Sequence, residues 1–312
     1  MKNIELTPAP NTLTGNNPSK AAPSIEALFS TSGGMATFTD RGHAIIQQLE
    51  VIFLDWASFI PATNIRYPSL IPIADLDRLN YFRNFPHLAL CACAISESAC
   101  ADFSKGQDDL LRLDHRQLQS AEFCLPPAAC YNVYLSMRGQ HLSATRCVTT
   151  VANCFRNEDH YQGLRRLRAF TLREIVFVGR DEDVKTYLRK YRAIALEFLG
   201  ELGLTIEVKH ASDPFFDKAS TAARATRIFP TKEELLFNGT LAIASLNYHR
   251  RFFGERCGIT IEGEPAHTGC IGFGLERWVY ALTEHFGTDT GVILDRLQAS
   301  HSAVMSHQSA SQ

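Results

Sequence analysis

The chain has 312 residues, of which 45% are hydrophobic and 21% charged, and its formal net charge at pH 7 is -2. This balance is typical of a globular protein and gives no electrostatic argument for nucleic-acid binding. No apolar run reaches membrane-spanning length, and the first residues contain no apolar core of a secretory signal. The nine irregularly spaced cysteines do not form a disulfide framework pattern, which favours a reducing, cytoplasmic location.

The two ends of the chain have the composition of loose tails. Residues 1–25 are rich in Pro, Asn, Thr and Ser, and residues 297–312 are similarly polar. Such segments bury too little apolar surface to fold. The sequence therefore predicts one folded domain over residues 26–296, with a flexible tail at each end.

Apolar periodicity predicts the elements between these tails. In chain order they are a helix over 40–59 with Asp40 as its N-cap, strands over 145–158 and 166–179, a helix over 181–203, strands over 204–210 and 240–253, and a helix over 275–287. Long strands with few βαβ alternations indicate an α+β domain, in which helices flank a mostly antiparallel sheet.

The stretch HTGCIGFG at 267–274 alternates small and apolar residues. A period of two places Cys270, Gly272 and Gly274 on one face of a predicted strand and the apolar residues on the other. Glycine weakens a strand, so close approach of a ligand or of another backbone is expected on this face. Cys270 itself could be a packing residue or a ligand.

Residues 155–179 combine arginines, an aromatic ring and carboxylates on two predicted strands joined by a short loop, which should pair as a hairpin. The residues expected on its shared face are Arg156, Glu158, Arg166, Arg168, Phe170, Leu172 and Glu174. Arginine suits phosphate because its planar fork donates two hydrogen bonds, and an aromatic ring suits a base. A solvated, salt-bridged hairpin is an equally good interpretation of this pattern.

The order of these residues resembles two motifs of class II aminoacyl-tRNA synthetases. Residues 156–174 resemble motif 2, and residues 270–277, which close on Glu-Arg, resemble motif 3. LPPAACYNVY at 125–134, SDPFF at 212–216 and ASLNYHRRFFG at 244–254 further resemble amino acid:[carrier protein] ligases, which are truncated homologues of atypical archaeal seryl-tRNA synthetases. The resemblance covers about residues 30–290 and implies the class II synthetase catalytic fold.

The resemblance implies an ATP site. The residues that match its contacts are Arg156, Glu158, Arg166, Phe170, Glu234, Ser245, Asn247, Gly272, Gly274 and Arg277. Among these, Arg156 would hold the α-phosphate, Phe170 would stack on adenine, and Arg277 would bind the γ-phosphate and the opposite ring face. Arg156 and Arg277 are thus the implied catalytic residues. Glu234, Ser245 and Asn247 match contacts to Mg²⁺ and ATP, although Asn238 could instead occupy the position of the metal-binding acid.

The resemblance also implies a zinc-dependent amino-acid site. Cys130, Glu174 and Cys270 match the family's three zinc ligands, and Asp213 matches an aspartate that supports the substrate amine beside Glu174. Three protein ligands with an open fourth position are typical of a catalytic zinc site. The residues alone leave a packing role for both cysteines open, because buried cysteine is usually a small hydrophobe. Glycine or alanine is the favoured substrate, with serine possible.

The implied reaction joins the amino acid to ATP as an aminoacyl-adenylate and transfers it to the phosphopantetheine thiol of a small acidic carrier protein. One alternative is tRNA aminoacylation of the seryl type. It is disfavoured because only about 25 residues precede the core and no basic tract is visible, so we expect no tRNA partner. The other alternative is a non-catalytic paralogue, which would not be expected to retain Arg156 and Arg277.

Two expectations concern protein partners. The family's motif 1 region, roughly 41–75, implies a homodimer. On the helix from Val184, Lys185, Arg189 and Arg192 share a face opposite the apolar stripe. This face could meet an acidic carrier helix, although a merely solvated face is the more common outcome.

Overall fold

The computed structural model describes residues 25–106, 110 and 112–310. The α-helices in these residues are α1 Asp40–Trp56, α2 Ile73–Arg78, α3 Tyr81–Asn84, α4 Glu97–Phe103, α5 Cys130–Ser136, α6 Asp181–Glu201, α7 Thr221–Ile228, α8 Phe252–Cys257, α9 Leu275–Phe286 and α10 Thr290–Ala310. In this part of the chain, no helix combines the length and apolar character needed to cross a membrane.

The strands of the described residues belong to one large sheet and three small ones. They are β1 Phe29–Ser32, β2 Met35–Phe38, β3 Thr63–Asn64, β4 Ile71–Pro72, β5 Cys91–Ala92, β6 Phe123–Cys124, β7 His141–Leu142, β8 Arg146–Phe155, β9 Ala169–Gly179, β10 Ile206–His210, β11 Lys232–Phe237, β12 Leu241–Arg250, β13 Thr260–Ile261, β14 Glu264–Pro265 and β15 His267–Gly274. The large sheet has the order β10-β11-β12-β15-β9-β8-β3. Its strand pairs are antiparallel except for β3 with β8, so the predicted α+β architecture is confirmed.

The two faces of this sheet have different coverings. On one face, α1, α6 and α9 bury a core in which the Phe53 ring stacks on Phe273 with centroids 4.0 Å apart. On the other face, α5 and α8 pack around a smaller cluster that includes Cys270 and Val176. Alternate residues of β15 thus reach opposite faces, as their period of two predicts.

Gly269 belongs to the face of β15 that is covered by α1, α6 and α9. A Cβ atom there would lie 2.9 Å from Val184 Cγ1 and 3.0 Å from Leu188 Cδ1, both on α6. Real Cβ atoms are essentially never closer than 3.0 Å to another heavy atom, so the missing side chain lets α6 lie directly on the sheet. Gly269 is therefore explained by helix packing rather than by a ligand.

Two predicted boundaries are corrected by backbone geometry. The N-cap of α1 is Thr39, whose hydroxyl accepts a hydrogen bond from the Gly42 N–H, while Asp40 is the first helical residue. The predicted strand over 240–253 ends at Arg250, which has a φ of 55° beside a register shift in β12. The chain then turns into α8, because this left-handed conformation ends regular pairing.

The prediction of a flexible tail from residue 297 is wrong as far as residue 310. These residues complete α10, which packs against α1 and α6. Ile293, Leu297 and Val304 are fully buried, at a spacing of four and then seven residues along one helix face. The polar composition of the segment concealed this stripe. The predicted N-terminal tail, apart from residue 25, lies outside the described residues.

Candidate active site

One row of paired residues crosses four neighbouring strands. Glu234 on β11 lies opposite Ser245 on β12, Ser245 lies opposite Gly272 on β15, and Gly272 lies opposite Glu174 on β9. Cross-strand partners point to the same face of a sheet. The row therefore places two carboxylates and a hydroxyl around a position that has no side chain.

A second row lies two residues further along the same face. Lys232 on β11 is opposite Asn247 on β12, and Asn247 is opposite Cys270 on β15. The Asn247 Nδ2 atom lies 3.6 Å from the Cys270 sulfur and 3.3 Å from the Ser245 hydroxyl oxygen. The amide thus links the two rows and orients the thiol.

These rows form the floor of one cavity. Its lining brings together every residue expected to contact ATP, the amino acid or zinc: Arg156, Glu158, Arg166, Phe170, Glu234, Ser245, Asn247, Gly272, Gly274, Arg277, Asp213, Glu174, Cys130 and Cys270. Asn238 is not part of this lining. It lies in the turn after β11 with a φ of 47°. Glu234, and not Asn238, therefore faces the cavity.

Arg156 enters the cavity from a loop rather than from a strand. Strand β8 ends at Phe155 and β9 begins at Ala169, so the predicted short hairpin loop is a longer connection. The Arg156 Nε donates a hydrogen bond to the Pro127 carbonyl at 3.1 Å, and its guanidinium carbon lies 5.1 Å from the centre of the Phe170 ring. Both contacts direct the guanidinium into the cavity.

Two other arginines of this loop, Arg166 and Arg168, lie in different surroundings. Arg166 pairs with Glu158 at 3.0 Å and lines the cavity. Arg168 lies outside the lining and stacks on the Tyr161 ring at 4.9 Å, so its predicted place on the shared face is wrong. The period of two fails here because residues before Ala169 are not in the strand.

Arg277 occupies the first turn of α9 at the other side of the cavity. It donates hydrogen bonds to the carbonyls of Arg165 and Ala242, both at 3.0 Å. Burial lowers the pKa of Arg277, and the positive charge of Arg156 lowers it further. The guanidinium remains protonated, and the like charge makes this place favourable for an anion.

Cys130, Glu174 and Cys270 converge at one place in the lining of the same cavity. One potential ligand atom from each lies within 4.8 Å of the others, and all three residues are buried. Glu174 Oε1 accepts a hydrogen bond from the Ala129 N–H at 3.1 Å, whereas the buried Oε2 has no hydrogen-bond partner among the described residues.

The chemistry of these three groups fits a cation. Burial raises the pKa of the Glu174 carboxyl, and a hydrogen bond to Cys270 together with burial raises the pKa of the Cys130 thiol. Without a positive ion, burial therefore favours the protonated forms. A bound cation would offset this cost, and two thiolates with one carboxylate suit zinc.

Comparison with known proteins identifies the family. Residues 113–286 match the model of the tRNA synthetase class II core domain (G, H, P, S and T). Amino acid–[acyl-carrier-protein] ligase 1 of Bradyrhizobium diazoefficiens is 35% identical to this chain over 240 residues, covering 72% of both proteins. The chain belongs to the amino acid–[acyl-carrier-protein] ligase family.

This ligase family member is also similar to archaeal seryl enzymes. The type-2 serine–tRNA ligase of Methanopyrus kandleri is 23% identical over 249 residues, which are 71% of this chain and 47% of that protein. The crystal structure of M. kandleri SerRS in complex with A. aeolicus tRNASec superposes with a TM-score of 0.73 and 19% identity, covering 87% of this chain and 58% of that one. The chain thus spans about half the length of these relatives and has the class II synthetase fold, as expected.

Lys232 is a site residue of the ligase that its sequence did not reveal. Its ammonium lies 3.2 Å from Asp213 and 3.1 Å from Glu234. Burial lowers the pKa of Lys232, but the two carboxylates outweigh burial and raise it overall. The lysine therefore neutralises two cavity acids. The alternation of β11, which puts Lys232 on the face of Glu234, was the available signal.

Glu276 and His249 are two further residues at the site that the sequence pattern did not indicate. The buried Glu276 carboxylate accepts the Thr171 N–H at 2.8 and 2.9 Å, which ties the start of α9 to β9 and so positions Arg277. His249 lines the cavity, and its Nδ1 lies 3.3 Å from the Tyr134 hydroxyl. Burial lowers the pKa of His249 to about 4, so its ring is neutral near pH 7.

The three basic residues expected at a carrier surface lie on α6, outside the cavity lining. Lys185 pairs with Asp181 at 2.8 Å, Arg189 donates to the Thr186 hydroxyl, and Arg192 pairs with Glu233 on β11 at 2.8 Å. The face therefore flanks the sheet, where Arg192 contacts the interior strand β11, instead of standing opposite the apolar stripe. Its positive charge is partly compensated by these carboxylates.

His249→Gln is expected to remove one source of acid sensitivity. Because the pKa of His249 is about 4 in the fold and about 6.5 in the unfolded chain, the unfolded state binds this proton more readily. The contribution to stability is fully present above pH 6.5 and is lost as pH falls towards 4. Across that window, the free energy of unfolding of the wild type should fall by about 3 kcal/mol more than that of the variant. Urea unfolding at several pH values measures this difference, and parallel curves would contradict it.

Proposed function

We propose that this chain uses ATP to activate a small amino acid as an aminoacyl-adenylate and then acylates the phosphopantetheine thiol of a carrier protein. The supporting observation is that a single cavity combines two arginines and an aromatic ring with a cluster of three potential metal ligands. A carrier protein as acceptor agrees with its relatives, the amino acid–[acyl-carrier-protein] ligases 1 and 2 of Bradyrhizobium diazoefficiens.

The pair of arginines, Arg156 and Arg277, suits a nucleoside triphosphate. Arg156 and Arg277 repel each other, and a polyphosphate between them would replace this repulsion by two charge-assisted interactions. The backbone carbonyls that hold both guanidiniums set their positions before ATP arrives, so little reorganisation is needed. Gly272 and Gly274 leave the floor bare because neither carries a side chain, and this keeps the space above them open for a ligand.

The cluster of potential metal ligands suits the substrate's amine. Cys130, Glu174 and Cys270 would hold Zn²⁺ and leave one coordination position open. When bound, the ion supplies a Lewis acid that anchors the amine. The Asp213 carboxylate also lines the cavity, held by Lys232 at 3.2 Å, and can accept a hydrogen bond from the amine. The aromatic side chains of Tyr81, Phe85 and Tyr131 also line the cavity, and their bulk favours a small substrate such as glycine or alanine.

The chain's residues then act by positioning and by charge. A substrate carboxylate oxygen forms a bond to the α-phosphorus while the bond to the β-phosphate oxygen breaks and pyrophosphate leaves. Arg156 stabilises the α-phosphate and Arg277 the terminal phosphate, and Glu234, Ser245 and Asn247 would hold Mg²⁺ with ATP. A carrier thiol, losing its proton, then attacks the carbonyl carbon and displaces AMP.

The activity predicts three results. ATP–pyrophosphate exchange should require a small amino acid, and a holo-carrier should gain the aminoacyl mass while its apo form and tRNA do not. Arg156→Ala should lower exchange about 100-fold or more, because a preorganised donor is lost. Arg168→Ala, in the same loop but outside the cavity lining, is the matched control and should retain most activity. Acylation of tRNA at a rate comparable to that of the carrier would overturn this proposal.

Replacing any one of the three proposed zinc ligands should cause the same loss of zinc and of amino-acid activation. Cys130→Ser, Glu174→Ala and Cys270→Ser should each lower bound zinc about 100-fold and reduce amino-acid activation, while ATP binding persists. The three losses should not add, because ligands of one ion act as a unit. Cys257→Ser, a buried thiol of the same core cluster, is the control and should cost only about 1 kcal/mol of stability. Elemental analysis alongside exchange measures this, and an active wild type that remains metal-free after chelation would disprove it.

Carrier docking and assembly complete the proposal. Charge reversal at Lys185 and Arg189 should raise the KM for carrier about tenfold at low salt and leave pyrophosphate exchange intact, since surface charge chiefly accelerates association. Reversal at Lys105 and Arg116, which are exposed and lie on other elements, controls for net charge. An unchanged carrier KM in the first variant would remove this surface from the proposal. The homodimer and the cytoplasmic location remain predictions.

A further inference from the structure

Two cysteines that the proposed function does not use face each other in a small sheet. Cys91 on β5 and Cys124 on β6 are cross-strand partners, and their sulfur atoms are 3.3 Å apart. Both are free thiols, and they are 33 positions apart in the sequence. The pair is separate from the proposed zinc ligands Cys130, Glu174 and Cys270.

The backbone around this pair has the geometry of a cross-strand disulfide. The Leu125 N–H donates to the Leu90 carbonyl at 2.9 Å, so residues 90 and 125 form a hydrogen-bonded pair. The next pair, Cys91 with Cys124, is then a non-hydrogen-bonded pair, in which Cα atoms lie about 4.5 Å apart. This value is within the range of disulfides, so a bond of about 2.04 Å requires side-chain rotation with only a small backbone shift.

The two thiols differ in access. Cys91 is exposed, whereas Cys124 is 1% exposed and packs with Tyr81 and Leu88. Burial and the nearby Cys91 raise the pKa of Cys124 to about 12. An oxidant from solvent therefore meets Cys91 first, and Cys124 is positioned to react only with a modified Cys91.

We propose that Cys91 and Cys124 form a reversible disulfide on exposure to a peroxide, and that this bond lowers activity. The Cys91 sulfur attacks one peroxide oxygen and the O–O bond breaks. Water departs as the leaving group, and Cys91 becomes a sulfenic acid. The Cys124 sulfur then attacks the Cys91 sulfur, the S–O bond breaks, and a second water carries away the Cys124 proton. Two thiols are oxidised and one peroxide is reduced to two waters.

The crosslink is connected to the cavity through both of its strands. Beyond Cys124, the Pro127 carbonyl holds Arg156. Before Cys91, Leu88 lines the cavity, and its carbonyl accepts the Asn157 N–H at 3.0 Å. Because both segments contact the loop that carries Arg156, a shift of either would displace a guanidinium whose position sets the reaction geometry.

The test treats the intact wild type with hydrogen peroxide near equimolar to protein, blocks remaining thiols, and maps peptides without reduction. The expected product is a 91–124 linked peptide that has lost two hydrogens. ATP–pyrophosphate exchange should fall about threefold or more and recover with a thiol reductant. Cys91→Ser should show neither change, while Cys93→Ser and Cys100→Ser, which remove other exposed thiols, should behave like wild type.

Three outcomes would overturn the inference. One is alkylation of both Cys91 and Cys124 after peroxide treatment. A second is a link that joins Cys124 to Cys93 or Cys100 instead. The third is a 91–124 link that leaves exchange unchanged, which would remove the coupling to the cavity. The peptide map needs no activity, so it distinguishes a failure of this inference from a failure of the proposed reaction.

Discussion

The register between β9, β15 and β12 is the constraint on which the site depends. It places Gly272 between Glu174 and Ser245, and it puts Cys270 on the same face. A slip by one residue would exchange the two faces of β15 and send Phe273 into the cavity. Phe273 stacks on Phe53 in the core beneath α1, α6 and α9, and this contact opposes such a slip. Core packing on one face therefore maintains the chemistry on the other.

The glycines of β15 illustrate how one strand serves both faces. Gly269 lacks a side chain because α6 and the neighbouring strand occupy that space, and an added Cβ would meet Val184, Leu188 and the Asn247 carbonyl oxygen. Gly272 and Gly274 instead leave the cavity floor open, with only ordinary contacts around an added Cβ. Identical residues in one motif thus have two physical causes, which the alternation of the strand separates.

The cavity keeps buried charges in place through fixed partners. Lys232 is shared by Asp213 and Glu234, Glu174 accepts a backbone N–H, and Arg277 is held by two carbonyls. Each contact offsets part of the cost of removing a charge from water. The two arginines repel each other and so favour an anion between them, whereas the three groups Cys130, Glu174 and Cys270 favour a cation.

The sequence by itself determined the long strands, the main helices and the spacing of Arg156, Phe170 and Arg277, because strand and helix periodicities are local properties. Family resemblance added Cys130, whose approach to Cys270 depends on the whole sheet. Only the tertiary structure decided that Lys232 lies between two acids, that Arg168 turns away from the cavity, and that the polar segment after residue 297 completes a packed helix. The Asp213 partner of Lys232 and the packing of the last helix depend on residues distant in the chain, while Arg168 follows the path of its loop; no strand or helix periodicity specifies such contacts.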